Sequence, residues 1–149
     1  MGLKGKMDTE NTWSALVEQK IADTIDENFL DRELRRIMVK LGIFPNLKGY
    51  DYLMSAIRIA MRDSTVIKNM TGRLYPTIAK EYDTTKGAVE RGIRHAIDVA
   101  TRRERIRTLN AFLDTEVFPE SYKPTNAEFI SVIALHFVSL YGKKTISFS

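Results

Sequence analysis

The chain has 149 residues, of which 44% are hydrophobic and 28% are charged, and its formal net charge is +4. This composition is typical of one globular domain with a core of normal size. The absence of cysteine excludes a disulfide scaffold, a thiolate zinc site, an iron–sulfur cluster and a cysteine nucleophile.

Metal, cofactor and membrane chemistry also find little support in the sequence. The two histidines, His95 and His136, are too few for a histidine-based metal site, and we expect no cofactor. No run of about 18 apolar residues is present that would span a membrane. Residues 1–13, MGLKGKMDTENTW, lack the apolar core of a secretory signal. We therefore expect a cytoplasmic protein without membrane contact.

The first three predicted helices occupy the N-terminal half of the chain, where apolar residues recur every three or four positions. Their stripes are Trp13, Leu16, Val17, Ile21 and Ile25, then Leu30, Leu34, Ile37, Met38 and Leu41, then Tyr50, Leu53, Met54, Ile57 and Met61. Gly42 predicts the end of the second helix, because glycine adopts the left-handed conformation that closes a helix. Pro45 then predicts a loop.

Four further helices are predicted after residue 70. A short helix spans 73–82, with Pro76 in its first turn, where proline is tolerated. A long helix spans 84–102. The apolar stripes of the long helix and of a short one after it are Val89, Ile93, Ala96, Ile97 and Ala100, and Ile106, Leu109, Phe112 and Leu113. Thr125 and Glu128 have the spacing of a capping box, which opens the last helix. Its stripe is Phe129, Ile133, His136, Phe137 and Leu140.

These elements predict an all-α fold, since no segment alternates apolar and polar residues long enough to form a strand. We expect a compact domain of about six helices over residues 29–141 that contains a helix-turn-helix. Residues 1–28 are predicted to form a partly helical N-terminal extension, and residues 142–149 a loose tail.

The basic residues are concentrated in one part of this fold. Residues 84–107 hold seven basic and three acidic side chains, so their net charge equals that of the whole chain. A local basic stretch on a near-neutral body is typical of a protein that binds a polyanion. The alternative is a solvated helix face on which arginines form salt bridges, and charge alone favours that alternative.

The segment 74–94 has the pattern of a helix-turn-helix. In that motif the second helix enters the major groove, so one of its faces must be apolar and the other must carry long hydrogen-bonding side chains. Residues 83–85 supply the turn. The outward positions of the second helix are Lys86, Glu90 and Arg94, with Arg91 and His95 beside them.

These residue types suit the edges of bases and the phosphate backbone. Arginine bonds guanine O6 and N7 with its planar fork, and glutamate accepts from the amino group of cytosine. Thr84 and Thr85, at the start of the helix, suit a phosphate, as does Arg73 before the motif. An acid such as Glu90 among bases fits sequence reading better than nonspecific phosphate binding. Alternatively, Glu90 only pairs with Lys86 or Arg94, and the pattern alone leaves both interpretations open.

Three segments of the chain resemble one known family. They are LGIFPNLKGYDYLMSAI, LYPTIAKEYDTTKGAVERGIRHAIDVA and KPTNAEFI, in the order and at the spacing found in the C-terminal effector domain of the stage 0 sporulation protein A family. The stretch VERGIRHAI is highly distinctive, and the similarity runs from about residue 30 to residue 140.

The resemblance implies a six-helix DNA-binding domain that recognises TGTCGAA-like boxes, often in tandem, and contacts RNA polymerase holoenzyme. Glu90 and Arg91 match the family's base-contacting pair, and Arg94 and His95 match adjacent groove and phosphate contacts. The resemblance also implies that the last helix joins two copies into a homodimer. Its residues in that role would be Phe129, Ile133, Phe137 and Leu140.

The chain departs from the family at two places. Gly87 and Ala88 stand where the family usually has Ser-Arg, so one arginine contact to a base is missing and the exact box stays open. The family protein also has an N-terminal receiver domain, and residues 1–30 are too short and lack the βα alternation for one. The chain is therefore a stand-alone relative or a fragment, and Met1 favours the former.

These departures motivate an alternative function, an interaction module that pairs with or antagonises a full-length regulator. No nucleophile–base pair or phosphate loop indicates an enzyme.

Overall fold

A computed structural model describes residues 13–16 and 28–145. All regular structure within these ranges is helical, which confirms the predicted all-α class. Residues 13–16 form a helical turn, and the rest of the predicted N-terminal extension up to residue 27 lies outside the described residues.

Six α-helices form the body of the described part. Helix α1 spans residues 28–40. The other elements, in chain order, are α2 (Lys48–Arg62), a 3-10 turn (Ser64–Asn69), a π-helical turn (Met70–Leu74), α3 (Tyr75–Glu81), α4 (Lys86–Ala100), α5 (Arg103–Leu113) and α6 (Asn126–Thr145). Helix α2 lies at the centre, because it packs against both α4 and α6. The core is built from the apolar stripes of all six helices, including Ile37 of α1, Leu53 of α2, Ile93 of α4 and Leu109 of α5.

The predicted short helix at 73–82 begins later than expected. The side chain of Asp63 accepts the Thr65 N–H at 3.0 Å, and that of Asn69 accepts the Gly72 N–H at 3.1 Å. Such local hydrogen bonds satisfy backbone groups in turns and compete with a regular helix. The segment therefore forms 3-10 and π turns first, and α3 starts at Tyr75 with Pro76 in its first turn, as predicted.

Two glycines set the distance between α2 and α4. A side chain on Gly49 would overlap the carbonyl oxygen of Gly92, and one on Gly92 would lie 2.9 Å from the ring of Tyr52. The two backbones therefore approach more closely than any larger residue would allow. This crossing holds α4 against the central helix of the domain.

The C-terminal end of α4 is held by α5 and by the loop after α1. Gly42 has a φ of +80°, so it ends α1 in the left-handed conformation that the sequence predicted. The Arg105 guanidinium lies against Gly42 and donates from Nη1 to the carbonyl oxygen of Val99, at 2.9 Å. A cation at the C-terminus of a helix interacts favourably with the helix dipole, so Arg105 stabilises the last turn of α4.

Helix α6 requires two corrections. Phe129, Ile133 and Phe137, expected at a dimer interface, are at most 1% exposed and belong to the core, where a second copy cannot contact them. Apolar residues occur on every side of α6, so their pattern did not distinguish the core face from the outer face. The exposed apolar residues of α6 are Leu135 (63%) and Leu140 (60%). The helix also continues to Thr145, into the first residues of the predicted loose tail, because Gly142 alone does not end it.

Candidate nucleic-acid interface

The turn between α3 and α4 is closed by backbone hydrogen bonds. Asp83 has a φ of +50°, a left-handed conformation that aspartate tolerates better than most residues. This conformation lets the Thr84 N–H reach back to the carbonyl oxygen of Ala79, at 2.9 Å, in the manner of a helix-ending turn. The chain then has only residues 82–85 between the two helices, which is the connection that a helix-turn-helix requires.

Thr85 caps the second helix of the motif. Its Oγ1 accepts the N–H of Ala88 at 3.1 Å, so α4 begins at Lys86. In this cap the Thr85 hydroxyl acts as an acceptor, so its hydrogen remains available to donate to another group. Thr84, which is half-buried, lies in the groove between this helix start and α2.

The structure brings the predicted reading face together on the outer side of α4. Lys86, Arg91, Arg94 and His95 are exposed, and Glu90 is half-buried. The opposite face is buried through the residues Val89, Ile93, Ala96, Ile97 and Ala100. One face therefore holds the helix on the domain while the other presents long polar side chains, as the sequence predicted.

Glu90 and Arg94 pair with each other across one turn of α4. The distance between Arg94 Nη2 and Glu90 Oε1 is 2.5 Å, and the two side chains are 61% and 39% exposed, respectively. An exposed pair at this spacing contributes about 0.3–0.5 kcal/mol. The pair is thus present in the unbound protein, and it is weak enough to be exchanged for contacts with bases.

The side chain of Arg91 lies along the first turn of α4. A Cβ atom added to Gly87 would be 3.1 Å from Arg91 Nη1. The absence of a side chain at position 87 therefore leaves room for the guanidinium close to the start of the helix. This consequence of the Gly87 departure was not evident from the sequence.

Asn126, at the start of α6, links the two helices of the motif. Its Nδ2 donates to the hydroxyl of Tyr75 in α3 at 3.0 Å and to the backbone carbonyl of Glu90 in α4 at 3.3 Å. Tyr75 is 5% exposed, and burial raises the pKa of its hydroxyl above the usual value. Sequence reasoning missed Asn126, because it is 36 positions from Glu90 along the chain.

Arg73 is held by its own turn rather than by the face of α4. It donates from Nη2 to Asp63 at 2.8 Å and from Nη1 to the hydroxyl of Thr65 at 2.9 Å. The hydrogen bond from the Thr65 hydroxyl, followed by that from Arg73, lowers the pKa of Asp63 to about 2. The structure therefore does not group Arg73 with the cations of α4.

Open grooves border α4 on both sides. On the side of α2, Lys48 lies in a groove with Arg91 and His95. On the side of α6, Lys123 lies in two adjoining grooves, one with Arg94 and the other with His95. Sequence reasoning missed both lysines, because neither belongs to the motif and only the fold brings them to α4.

His136 has a packing role in the structure, in line with its position in an apolar stripe. Its ring centroid lies 4.7 Å from that of Phe112, so it joins α6 to α5. Burial lowers the pKa of His136 below its usual value.

Within residues 13–16 and 28–145, no group of three or more acidic or histidine side chains is placed to hold a metal ion. None of the helices in these ranges has the length and apolar character needed to cross a bilayer.

The comparison with known proteins gives one family. The family described as sporulation initiation factor Spo0A C terminal matches residues 34–137, which is more than half of the chain. The match begins within α1, includes the whole helix-turn-helix and ends within α6. It therefore covers every residue on the outer face of α4.

Proposed function

The chain belongs to the Spo0A C-terminal family of DNA-binding domains that regulate transcription in sporulation, and from this premise we propose that it reads TGTCGAA-like boxes through α4. In this proposal Glu90 and Arg91 contact bases. Lys86, Arg94 and His95 contact the groove edge and nearby phosphates, and Thr84 and Thr85 contact the backbone at the start of the helix.

The observation that carries the proposal is the two-faced construction of α4. Its inner face is buried, and its outer face presents Arg91, Arg94 and His95 in an exposed row. The major groove admits an α-helix, and base edges there offer distinct patterns of donors and acceptors. A rigid helix with arginine and glutamate on its outer face matches that pattern better than it matches a purely electrostatic surface.

Glu90 supports sequence reading rather than nonspecific binding. A carboxylate repels phosphates, so it weakens a face that only neutralises the backbone. It gains a partner only where a base offers a donor, such as the amino group of cytosine. We propose that the Glu90–Arg94 pair opens on binding, so that each side chain meets a DNA group of opposite polarity.

The departure at Gly87 and Ala88 bears on which box is preferred. The family's arginine at the second of these positions is absent, so the base that it would contact is unread. Arg91 lies against Gly87 and can approach the start of α4 more closely than with a larger neighbour. We therefore propose a box related to TGTCGAA but altered at one position.

The test is a selection of bound duplexes from a random pool, followed by titration of the winning duplex and a scrambled one. We expect Arg91→Ala to weaken binding to the selected duplex by about 1–3 kcal/mol and to relax the preference at one base. Arg32→Ala, which removes one positive charge from α1 instead, should leave both the affinity and the base preference unchanged. Equal affinity for the two duplexes, before and after the Arg91 substitution, would reject sequence reading.

The same binding assay separates the alternative function. If the chain binds neither duplex but co-purifies with a full-length regulator of this family, it is an interaction module. The closed Glu90–Arg94 pair and the missing arginine favour that alternative. If the duplexes selected from the random pool share a defined box, the interaction module is excluded.

Two partners follow from the proposed function. We propose that two copies associate on tandem boxes through the exposed part of α6, where Leu140 and Leu135 are accessible. The residues Phe129, Ile133 and Phe137 would support that surface from inside the core. We also propose contact with RNA polymerase holoenzyme, because a DNA-binding effector domain must communicate with the transcription machinery.

A further inference from the structure

The cations of this protein differ in whether a carboxylate neutralises them and in where they lie relative to α4. Several arginines outside α4 are neutralised by carboxylates, as in the pairs Arg58–Asp31, Arg73–Asp63 and Arg107–Glu120. Of these carboxylates, Glu120 lines one of the grooves beside α4. The side chains of Lys48 and Lys123 are exposed, and neither forms an ion pair or a hydrogen bond within the described residues. These two lysines lie in the grooves on opposite sides of α4.

The backbone of Lys48 is held at a set distance from α4. Lys48 is the first residue of α2, and the next residue, Gly49, packs directly against the backbone of Gly92. This contact leaves no room for a side chain, so the start of α2 cannot shift inward. The Lys48 side chain therefore extends from a fixed backbone position into the groove that Arg91 also lines.

The backbone of Lys123 is held by the start of α6. Tyr122 donates its hydroxyl to both carboxylate oxygens of Glu128, at 2.9 and 2.7 Å, and Glu128 also accepts the N–H of Thr125 at 2.9 Å. Pro124 between them is buried. Both neighbours of Lys123 are thus anchored, which reduces the conformational entropy that the backbone loses on binding.

A helix in the major groove has a DNA strand on each side. The groove is about 12 Å wide, and an α-helix with its side chains is about 10–12 Å across. Groups that flank the helix therefore face the phosphates of the two strands rather than the bases. Asp98 borders both grooves lined by Lys123, but it forms no ion pair with that lysine among the described residues.

We propose that Lys48 and Lys123 form a two-sided phosphate clamp, in which each lysine contacts one strand while α4 reads the bases between them. The clamp rests on the proposed function, since it requires α4 to enter a duplex. It sets the depth and orientation of the helix, and it carries no sequence information of its own.

The experiment measures the affinity of the full chain for the selected duplex and for a scrambled one, from about 50 to about 200 mM salt. We expect Lys48→Ala and Lys123→Ala each to weaken binding to both duplexes roughly three- to tenfold and to reduce the salt slope by about 0.9. The double variant should reduce the slope by about twice as much. Lys→Arg at either position should preserve the slope, because it keeps the charge. Lys40→Ala, at the exposed end of α1, is the matched control and should change nothing.

The outcomes separate the clamp from the proposed function. If the wild-type chain discriminates between the duplexes while both lysine variants keep its salt slope, the clamp is refuted and sequence reading stands. A variant that alters base preference at constant slope would also refute it, since that result assigns the lysine to base contacts. If the wild-type chain binds neither duplex, the proposed function and the clamp fail together.

Discussion

Helix α4 is held in two different ways on its two sides. Toward α2, it rests on a contact between backbones, where Gly49 meets the carbonyl of Gly92. Toward α6, it is held by a side-chain hydrogen bond from Asn126 to the backbone of Glu90, and the same amide group also donates to Tyr75 in α3. The first contact depends on shape alone and the second on polar groups that can be exchanged for water.

The difference shows that the second helix of the motif is constrained by shape on one side and by a polar contact on the other. A steric contact between backbones has no alternative geometry, so the α2 side determines how far α4 stands from the core. The hydrogen bond from Asn126 to the backbone of Glu90, at 3.3 Å, constrains α4 less strictly, because such a bond keeps its energy over a range of angles. The two sides should therefore respond differently to substitution and to pH.

The largest effect is expected from Gly49→Ala. The new Cβ would overlap a backbone oxygen that cannot move without displacing α4, and we expect the free energy of unfolding to fall by about 3 kcal/mol. Urea denaturation, monitored by circular dichroism, measures this free energy. Gly87→Ala is the matched control, because its Cβ would meet only the flexible side chain of Arg91, and it should be neutral or stabilising by up to about 1 kcal/mol. Equal losses in the two variants would contradict the steric account of the α2 side.

A smaller effect is expected from Asn126→Ala. The substitution leaves the buried hydroxyl of Tyr75 without its partner, and we expect the free energy of unfolding to fall by about 1–2 kcal/mol. Tyr75→Phe removes the same hydrogen bond from the other end. In a double-mutant cycle, the combined loss should be smaller than the sum of the single losses. Strictly additive losses would show that Asn126 and Tyr75 do not stabilise each other, which would contradict a polar link between α6 and α3.

The smallest effect is the pH dependence that Glu128 contributes at the start of α6. The backbone N–H of Thr125, followed by the hydroxyl of Tyr122, lowers the pKa of Glu128 below its usual value of 4.5. The unfolded chain therefore binds this proton more readily, so the stabilisation is present above pH 4.5 and is lost as the pH falls below it. Urea denaturation between pH 6 and pH 3 should show a shallower decline for Glu128→Gln than for the wild-type chain, since glutamine can cap but does not titrate. The titration of Asp63 is common to both proteins, so identical declines would exclude a role for Glu128.

The helices and their ends were largely predictable because the signals are local. Gly42 ends α1, and Thr125 and Glu128 cap the start of α6, as the sequence predicted. Thr85 caps α4, which therefore begins two residues later than predicted. Each of these interactions joins residues within four positions of each other. The start of α3 was placed too early, because Asn69 and Asp63 hold the preceding residues in turns whose patterns were not recognised.

The candidate site was predictable in its central helix and not at its borders. Periodicity alone placed Lys86, Glu90 and Arg94 on the outer face of α4, because one turn of a helix separates each from the next. Lys48 and Lys123 have no such relation to α4 in the sequence. Their positions depend on the crossing of α2 and α4 and on the approach of α6.

The sequence by itself determined where helices begin and end and which side of α4 carries the polar row, since these depend on contacts between near neighbours in the chain. Only the tertiary structure decided which side of α6 is buried, because apolar residues surround that helix and several burial patterns satisfy the hydrophobic effect equally. It also decided which cations meet around α4. These cations come from segments about thirty to forty residues apart along the chain, and the packing of helices, rather than any local preference, brings them together.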